Sequence, residues 1–245
     1  MTNHNCKPKI LEWDTNHFGV KIASFAPLNE SDVIEGVKWA RDNAIQLLMG
    51  RCDTSDIKVI NSMEKANFLL METLVCYKFD FLNRSVPEAK KNIPIRSILP
   101  KDIKAIGEIS KTAFKDFIDH FHRDPKLNQE KCDALYEQWA INSYKDKNLA
   151  ERIIIADDRG KVLGFQMTKR VNEEVAEGGL AAIDLKSQGR GIYTSLLINA
   201  MQWCKEKGFK KMEVKTQIPN YKVQRIWQRH GFEINSSLHT LHLWL

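Results

Sequence analysis

The chain has 245 residues, 43% hydrophobic and 28% charged, with a formal net charge of +6, a balance that suits a folded protein and excludes one dominated by disorder. No run approaches the roughly 18 consecutive apolar residues of a membrane span, and the amino terminus is polar and mixed in charge, so neither a span nor a signal peptide is expected and the expected location is the cytoplasm. The positive excess favours an acidic partner such as a nucleotide or phosphate-bearing cofactor, but the basic residues are dispersed and not interleaved with aromatics, which speaks against nucleic acid.

In chain order, residues 10–28 are dense in apolar and aromatic side chains, among them Leu11, Trp13, His17 and Phe18, and read as folded rather than as a tail. Val33, Ile34, Val37, Ala40 and Ala44 recur at helical spacing, so a helix is predicted over 30–44, followed by a strand over 45–49. A second helix follows Ser55, with Ile57, Ile60 and Met63 on one side, and residues 68–81 read as one or two strands. These pieces describe a small α/β unit. The polar stretch 83–92, with Arg84, Pro87, Glu88, Lys90 and Lys91, marks a composition shift, and the boundary is placed there, giving a small domain over 1–92 and a larger one over 93–245.

The second unit opens with a short strand over 93–98 and a helix begun by Pro100 that carries Ile103, Ile106 and Ile109. A further helix is expected over 128–143, where Cys132, Leu135, Tyr136, Trp139 and Ala140 share a buried face. Between the two helices lie Phe117, Asp119, His120, Phe121, His122, Arg123 and Asp124. The two histidines lack a third ligand at matching spacing, so no metal is expected. Aromatic rings that stack on a base or sugar, with an arginine for phosphate, make a substrate-facing loop the better reading, and a solvated loop the alternative.

Residues 152–156 and 162–168, around Asp157-Asp158-Arg159-Gly160, read as a hairpin. The next strand covers 175–183, and its Gly178 and Gly179 mark a bulge or a close ligand approach. It leads into Gln188-Gly189-Arg190-Gly191-Ile192-Tyr193, which opens a helix with Ile192, Leu196, Ala200, Trp203 and Cys204 on its apolar face and a stop near Gly208. Glycines let the backbone turn tightly, and the helix start leaves N–H groups that suit a pyrophosphate; an ordinary tight connection is the alternative. A strand over 212–216, a short helix over 220–229 and a strand over 237–245 complete the pattern. Five widely spaced cysteines, Cys6, Cys52, Cys76, Cys132 and Cys204, suit a reducing compartment.

This succession resembles the GCN5-related N-acetyltransferase superfamily. The resemblance rests on residues 188–193, similar to its Q/R-x-x-G-x-G/A acyl-CoA signature, and on Asn220 followed by Trp227-Gln228-Arg229-His230-Gly231-Phe232, similar to its asparagine-to-Gly-Phe segment. It covers 93–245 and implies an α/β fold with a central mixed sheet, preceded here by the smaller α/β domain. It also implies acetyl-CoA as cosubstrate. The backbone of Gln188, Gly189, Arg190, Gly191, Ile192 and Tyr193 would hold the pyrophosphate, and the strand at Ala181, Ala182 and Ile183 would pair with pantetheine. Asn220 would orient pantetheine or the acetyl group, with a helix cap as its alternative role, and Trp227 would also border the cofactor. Two departures stand out: Tyr193 replaces the last small residue of the signature, and Trp227 stands where many relatives carry a tyrosine that protonates the departing thiolate, which an indole does not do.

At finer resolution the amino-terminal unit, with residues 121–124 and 135–139, resembles the nucleotide-amino-sugar N-acyltransferases of the TDP-fucosamine acetyltransferase type. That resemblance implies a dTDP-linked amino sugar as acceptor, a role in surface polysaccharide biosynthesis and a homodimer, with Phe121, His122, Arg123 and Tyr136 on the substrate side. The expected chemistry is direct attack of a neutral amine, with Glu177 as first choice for general base and Glu174 as second. Tyr193 or Tyr221 would replace the missing acid, with solvent as the alternative proton donor. Cys204 is expected to be structural. A peptide, polyamine or other small amine as acceptor, or a non-catalytic CoA-binding module, remain alternatives.

Overall fold

The computed structural model describes residues 7–89, 93–115 and 117–245. Cys6 and the end of the expected linker, Lys90, Lys91 and Asn92, lie outside them. The aromatic-rich start forms β1 (Lys9–Ile10), α1 (Glu12–Phe18) and β2 (Ile22–Phe25), followed by α2 (Glu30–Asp42), β3 (Leu47–Asp53), α3 (Ile57–Lys65) and β4 (Leu69–Asp80). Asn29 starts α2 by accepting the Asp32 amide at 3.0 Å, and Asp56 starts α3 by accepting that of Val59 at 3.2 Å, the side-chain caps that satisfy orphan donors of a first turn. Beyond the polar stretch come β5 (Ile95–Ser97), α4 (Ile103–Ala113), α5 (Gln129–Asn142), β6 (Arg152–Asp158), β7 (Lys161–Arg170) and β8 (Val175–Ile183). The chain closes with α6 (Ile192–Glu206), β9 (Lys211–Gln217), α7 (Tyr221–Arg229) and β10 (Glu233–Trp244).

The strands form one mixed sheet in the order β1-β2-β3-β10-β4-β9-β8-β7-β6-β5. Two pairs are parallel, β2 with β3 and β8 with β9, each joined through a helix as parallel strands require. The stretch read as one or two strands is a single strand, β4, because it is paired along both edges, by β10 and by β9. The carboxyl-terminal strand thus sits between β3 and β4, two strands from the amino-terminal side of the polar stretch.

Helices cover both faces. Ile153 and Ile155 of β6 join the cluster under α4 and α5 with Ile106, Leu135 and Phe165, whereas Ile154 and Ala156 join Leu196, Met201 and Trp227 under α6 and α7. That alternation within one strand is the period-2 geometry of a sheet buried on both sides. A third cluster packs Val33, Val37 and Met63 of α2 and α3 on Phe25, Leu48 and Leu241. Cys204 is fully buried on α6, and burial pushes its thiol up to about 12, which leaves it a packing residue. Among the described residues no helix is long and apolar enough to cross a membrane.

Phe165 is fully buried in the α4–α5 cluster. Phe165→Ala is expected to cost about 3–5 kcal/mol, seen as a lower urea midpoint with an unchanged m-value.

Candidate functional site

The site begins where two strands part. β8 pairs with β9 from Val175↔Lys211 to Gly178↔Val214, and among the described residues the pairing stops there, although β8 continues to Ile183 and β9 to Gln217. On the other side of β8 the register slips: Gln166 faces Ala181, but Thr168 faces Gly178. The extra residue makes a bulge at the glycines of β8, which bends the strand away from β9. Gly178 has its own reason to be glycine, since a Cβ there would lie 2.9 Å from both Met212 and Val214 side chains. The gap opens into a cavity of about 300 Å³, lined on one side by Glu177, Gly178, Gly179, Leu180 and Ala181 and on the other by Lys215, Thr216 and Gln217.

Beyond β8 the chain makes a tight turn in which Ser187 donates its hydroxyl to Asp184 at 2.8 Å. Gly189 and Gly191 then take the left-handed conformation, with φ of 76° and 83°. The first hydrogen bond of α6 runs from Ser195 N–H to Gly191 O, and no side chain caps the helix. The amides of Ile192, Tyr193 and Thr194 are therefore first-turn donors. A Cβ on Gly189 would meet nothing within 4 Å, so the turn forms an open cradle. It belongs to a second cavity, about 530 Å³, lined by Ala181, Ala182, Ile183, Gln188, Gly189, Gly191, Ile192, Tyr193 and Asn220. Ala181, Tyr193 and Asn220 line both cavities. Of the residues expected to hold acyl-CoA, Arg190 is not in either lining and Trp227 lines only the first. The open cradle, the helix-start donors and the unpaired edge of β8 fit a pyrophosphate with an extended amide-bearing arm.

Asn220 does not cap α7; its side-chain amide donates to Thr216 Oγ1 at 3.0 Å. Trp227 is buried and donates its indole N–H to the Tyr193 hydroxyl at 2.7 Å. Burial raises the Tyr193 phenol above its ordinary range, and the bond from Trp227 pulls the other way. Tyr193 is thus a protonated hydroxyl with one lone pair occupied. Tyr221 is exposed and lines neither cavity.

Glu177 reaches the first cavity but is gripped by Lys215 at 2.8 Å and Lys169 at 3.3 Å. Burial works to raise its carboxyl, but the two ammonium groups prevail and hold it below its ordinary value. Glu174 is an exposed partner of Lys210 and lies outside the cavity. Phe121 and Tyr136 line the first cavity, whereas His122 and Arg123 do not. His122 is held by Asp119 at 3.0 Å and Asp133 at 3.4 Å, and Arg123 donates to the Met71 carbonyl at 3.0 Å. Asp119 fixes this loop, accepting from the amides of Phe121 and His122 and from the Tyr136 hydroxyl at 2.6 Å.

One carboxylate escaped the sequence reading. Glu72 on β4 is 2% exposed and lines the first cavity, where Gln217 donates to it at 3.1 Å, Thr240 at 3.2 Å, and Arg51 approaches to 3.6 Å. Burial raises its carboxyl, with Arg51 as the largest opposing influence. A glutamate set between the apolar pairs Leu70-Met71 and Leu74-Val75 of β4 was the available signal. Arg51, His120 and Phe121 line this cavity and also a third, of about 420 Å³, bordered by Lys7, Lys9 and Asp14.

The model of the acetyltransferase (GNAT) family matches residues 114–232. The chain is similar to the spore coat polysaccharide biosynthesis protein SpsD of Bacillus subtilis, 25% identical over 146 residues, which is 59% of this chain and 48% of that protein. An uncharacterized N-acetyltransferase of Methanocaldococcus jannaschii is 24% identical over 149 residues, 58% of this chain and 62% of the other. The chain therefore spans about half to three fifths of the length of these relatives. Among solved structures, a GCN5-related N-acetyltransferase from Sphaerobacter thermophilus superposes with a TM-score of 0.65 at 16% identity, over 97% of this chain and 76% of the other. The mixed sheet with helices on both faces is thus the GNAT fold.

Gly189→Val is expected to lower coenzyme A affinity at least about tenfold, or 1.4 kcal/mol, in isothermal titration calorimetry, because its side chain occupies the cradle. Glu72 gives a pH test. Its folded carboxyl binds the proton more tightly than the unfolded chain does, so stability falls as pH rises from 4.5 through the raised value. Urea unfolding of wild type and Glu72→Gln should show the balance moving in favour of the variant over that rise.

Proposed function

We propose that residues 114–232, which match the acetyltransferase (GNAT) family model, form an acetyltransferase domain that moves an acetyl group from acetyl-CoA to the amine of a nucleotide-linked amino sugar, a dTDP-amino-dideoxyhexose being the favoured acceptor class. The observation that carries the transfer is the parting of β8 and β9, which opens directly onto the glycine cradle at the start of α6. Acetyl-CoA supplies the activated acyl group. The amides of Gly189 to Thr194 bind its pyrophosphate, and the unpaired edge of β8 at Ala181–Ile183 lines the arm. Asn220, which lines both cavities, orients it. Confining acyl donor and amine to adjoining cavities turns a bimolecular step into a local one.

Tyr193 donates the proton to the leaving sulfur. Trp227 does not itself act as the acid; its N–H fills one lone pair of the Tyr193 oxygen, which leaves the O–H to donate elsewhere. The indole hydrogen bond also stabilises the phenolate and so counters the effect of burial. This supports a catalytic reading over a CoA-binding module.

The acceptor reading rests on the third cavity, where Lys7, Lys9 and Arg51 gather beside the Phe121 ring. Cations suit a diphosphate and an aromatic ring suits a base or sugar. The relative named for spore coat polysaccharide biosynthesis lends it support.

Product formation from acetyl-CoA, followed by mass spectrometry over dTDP- and UDP-linked amino sugars with peptide and polyamine controls, is expected to single out a nucleotide sugar. Acetylation of a control amine alone refutes the acceptor class, and coenzyme A binding without any turnover refutes the enzyme reading. Tyr193→Phe is expected to lower kcat about 10²-fold with coenzyme A affinity unchanged, and Trp227→Phe to lower it less.

A further inference from the structure

A buried row of polar groups adjoins the reactive cavity and takes no part in the mechanism above. His120 Nδ1 lies 3.0 Å from His242 Nε2. His242 Nδ1 lies 2.7 Å from Asp124 Oδ2, which also accepts the Trp244 indole N–H at 2.9 Å. Asp124 and His242 are each 1% exposed, whereas His120 lines both the first and the third cavities. The row therefore runs from the protein interior to the wall between the acyl-donor and acceptor sides.

The hydrogen bonds set the tautomers. Burial works to raise the Asp124 carboxyl, but bonds from His242, Trp244 and the Lys126 amide hold it below its ordinary 3.8, so it is ionised and accepts only. His242 then carries its proton on Nδ1 and presents Nε2 as acceptor, and His120 fills that acceptor with its own Nδ1–H. His120 Nε2 is left with a lone pair and, among the described residues, no hydrogen-bond partner. The charged groups around His120 are His242, Arg51, Asp119 and Asp124, with Glu72 in the lining of the same cavity.

We propose that His120 is the base that takes the proton from the acceptor ammonium, and that His242 and Asp124 are the relay that carries the resulting charge away from the cavity. The proposal rests on the amine-acceptor reading. The N–H bond of the ammonium breaks, the proton forms a bond to His120 Nε2, and the electron pair stays on the amine nitrogen for attack. At the same time the His120 Nδ1 proton crosses to His242 Nε2. The cation ends on His242 beside the Asp124 carboxylate, and His120 is neutral again with its proton on Nε2. Burial, His242 and Arg51 hold His120 well below the ordinary histidine value, so a charge resting on its own ring is disfavoured. Transfer to His242 avoids that state. Glu177 and Glu72 are less suited, the first clamped between two lysines and the second already accepting from Gln217 and Thr240. His120 is the catalytic residue here; His242 and Asp124 are positioning residues.

The test joins spectroscopy with kinetics. Long-range 1H–15N correlation spectra of the full chain labelled with 15N-histidine, taken without substrate, should show neutral His120 and His242 both protonated on Nδ1. Neutral His120 protonated on Nε2 beside neutral His242 overturns the relay. With the acceptor found in the panel, His120→Gln should lower kcat about 10²–10⁴-fold, leave coenzyme A affinity within about twofold, and abolish the acid limb of the pH–rate profile. Asp124→Asn should lower kcat by a comparable factor and move that limb. His120→Gln that keeps more than half of the wild-type kcat refutes the assignment. If a control amine alone is acetylated, the nucleotide-sugar reading fails on its own and the His120 variants are assayed on that amine; if wild type binds coenzyme A and acetylates nothing, the enzyme reading and the base assignment fall together.

Discussion

The parting of β8 from β9 is the constraint on which the rest of the structure depends. Two parallel strands that stop pairing at Gly178 and Val214 leave backbone donors and acceptors without ladder partners on the facing edges. Buried backbone groups are costly when unpaired, so such an edge persists only where something else supplies the bonds. The glycines of β8 make the parting geometrically easy, through the bulge opposite Gln166 and Thr168 and through the absence of a side chain that would collide with Met212 and Val214. The helix that follows β8 then starts at the mouth of the gap, and its uncapped first turn adds donors where a pyrophosphate would sit.

Around that gap the chain assembles groups whose charge states are set by their partners. Two carboxylates of the same cavity are driven in opposite directions: Glu177 is held ionised by two lysines, while Glu72 is pushed up by burial with one arginine at 3.6 Å. Tyr193 is supported by an indole rather than replaced by it, which changes the meaning of Trp227. In isolation the tryptophan reads as a lost acid. In contact with Tyr193 it donates to a hydroxyl that lines the cavity.

The amino-terminal stretch contributes more than a neighbouring layer. β4 supplies Glu72, β3 supplies Arg51, and β10, lodged between them, supplies Thr240 and His242. The continuous sheet brings these side chains to the loop between α4 and α5, where Asp119 ties the Phe121 and His122 amides to the Tyr136 hydroxyl. A loop fixed by one buried carboxylate holds its aromatic ring in place with little entropy left to lose on binding.

The helices with apolar periodicity, the hairpin at Arg159 and Gly160 and the glycine turn before α6 were determined by the sequence itself, because each depends on residues a few positions apart. The turn and strand that line the second cavity, proposed above for the acyl donor, were legible for the same reason. Tertiary structure alone decided that Trp227 meets Tyr193, that Glu72 faces Gln217 across 145 residues, and that His242 stands between His120 and Asp124 across more than a hundred. It also turned His122 and Arg123 away from the cavity, toward Asp119 and the Met71 carbonyl. Periodicity fixes which face of a strand is buried, but strand order and register are set by long-range pairing, and a shift of one residue would present every one of those side chains to the opposite face.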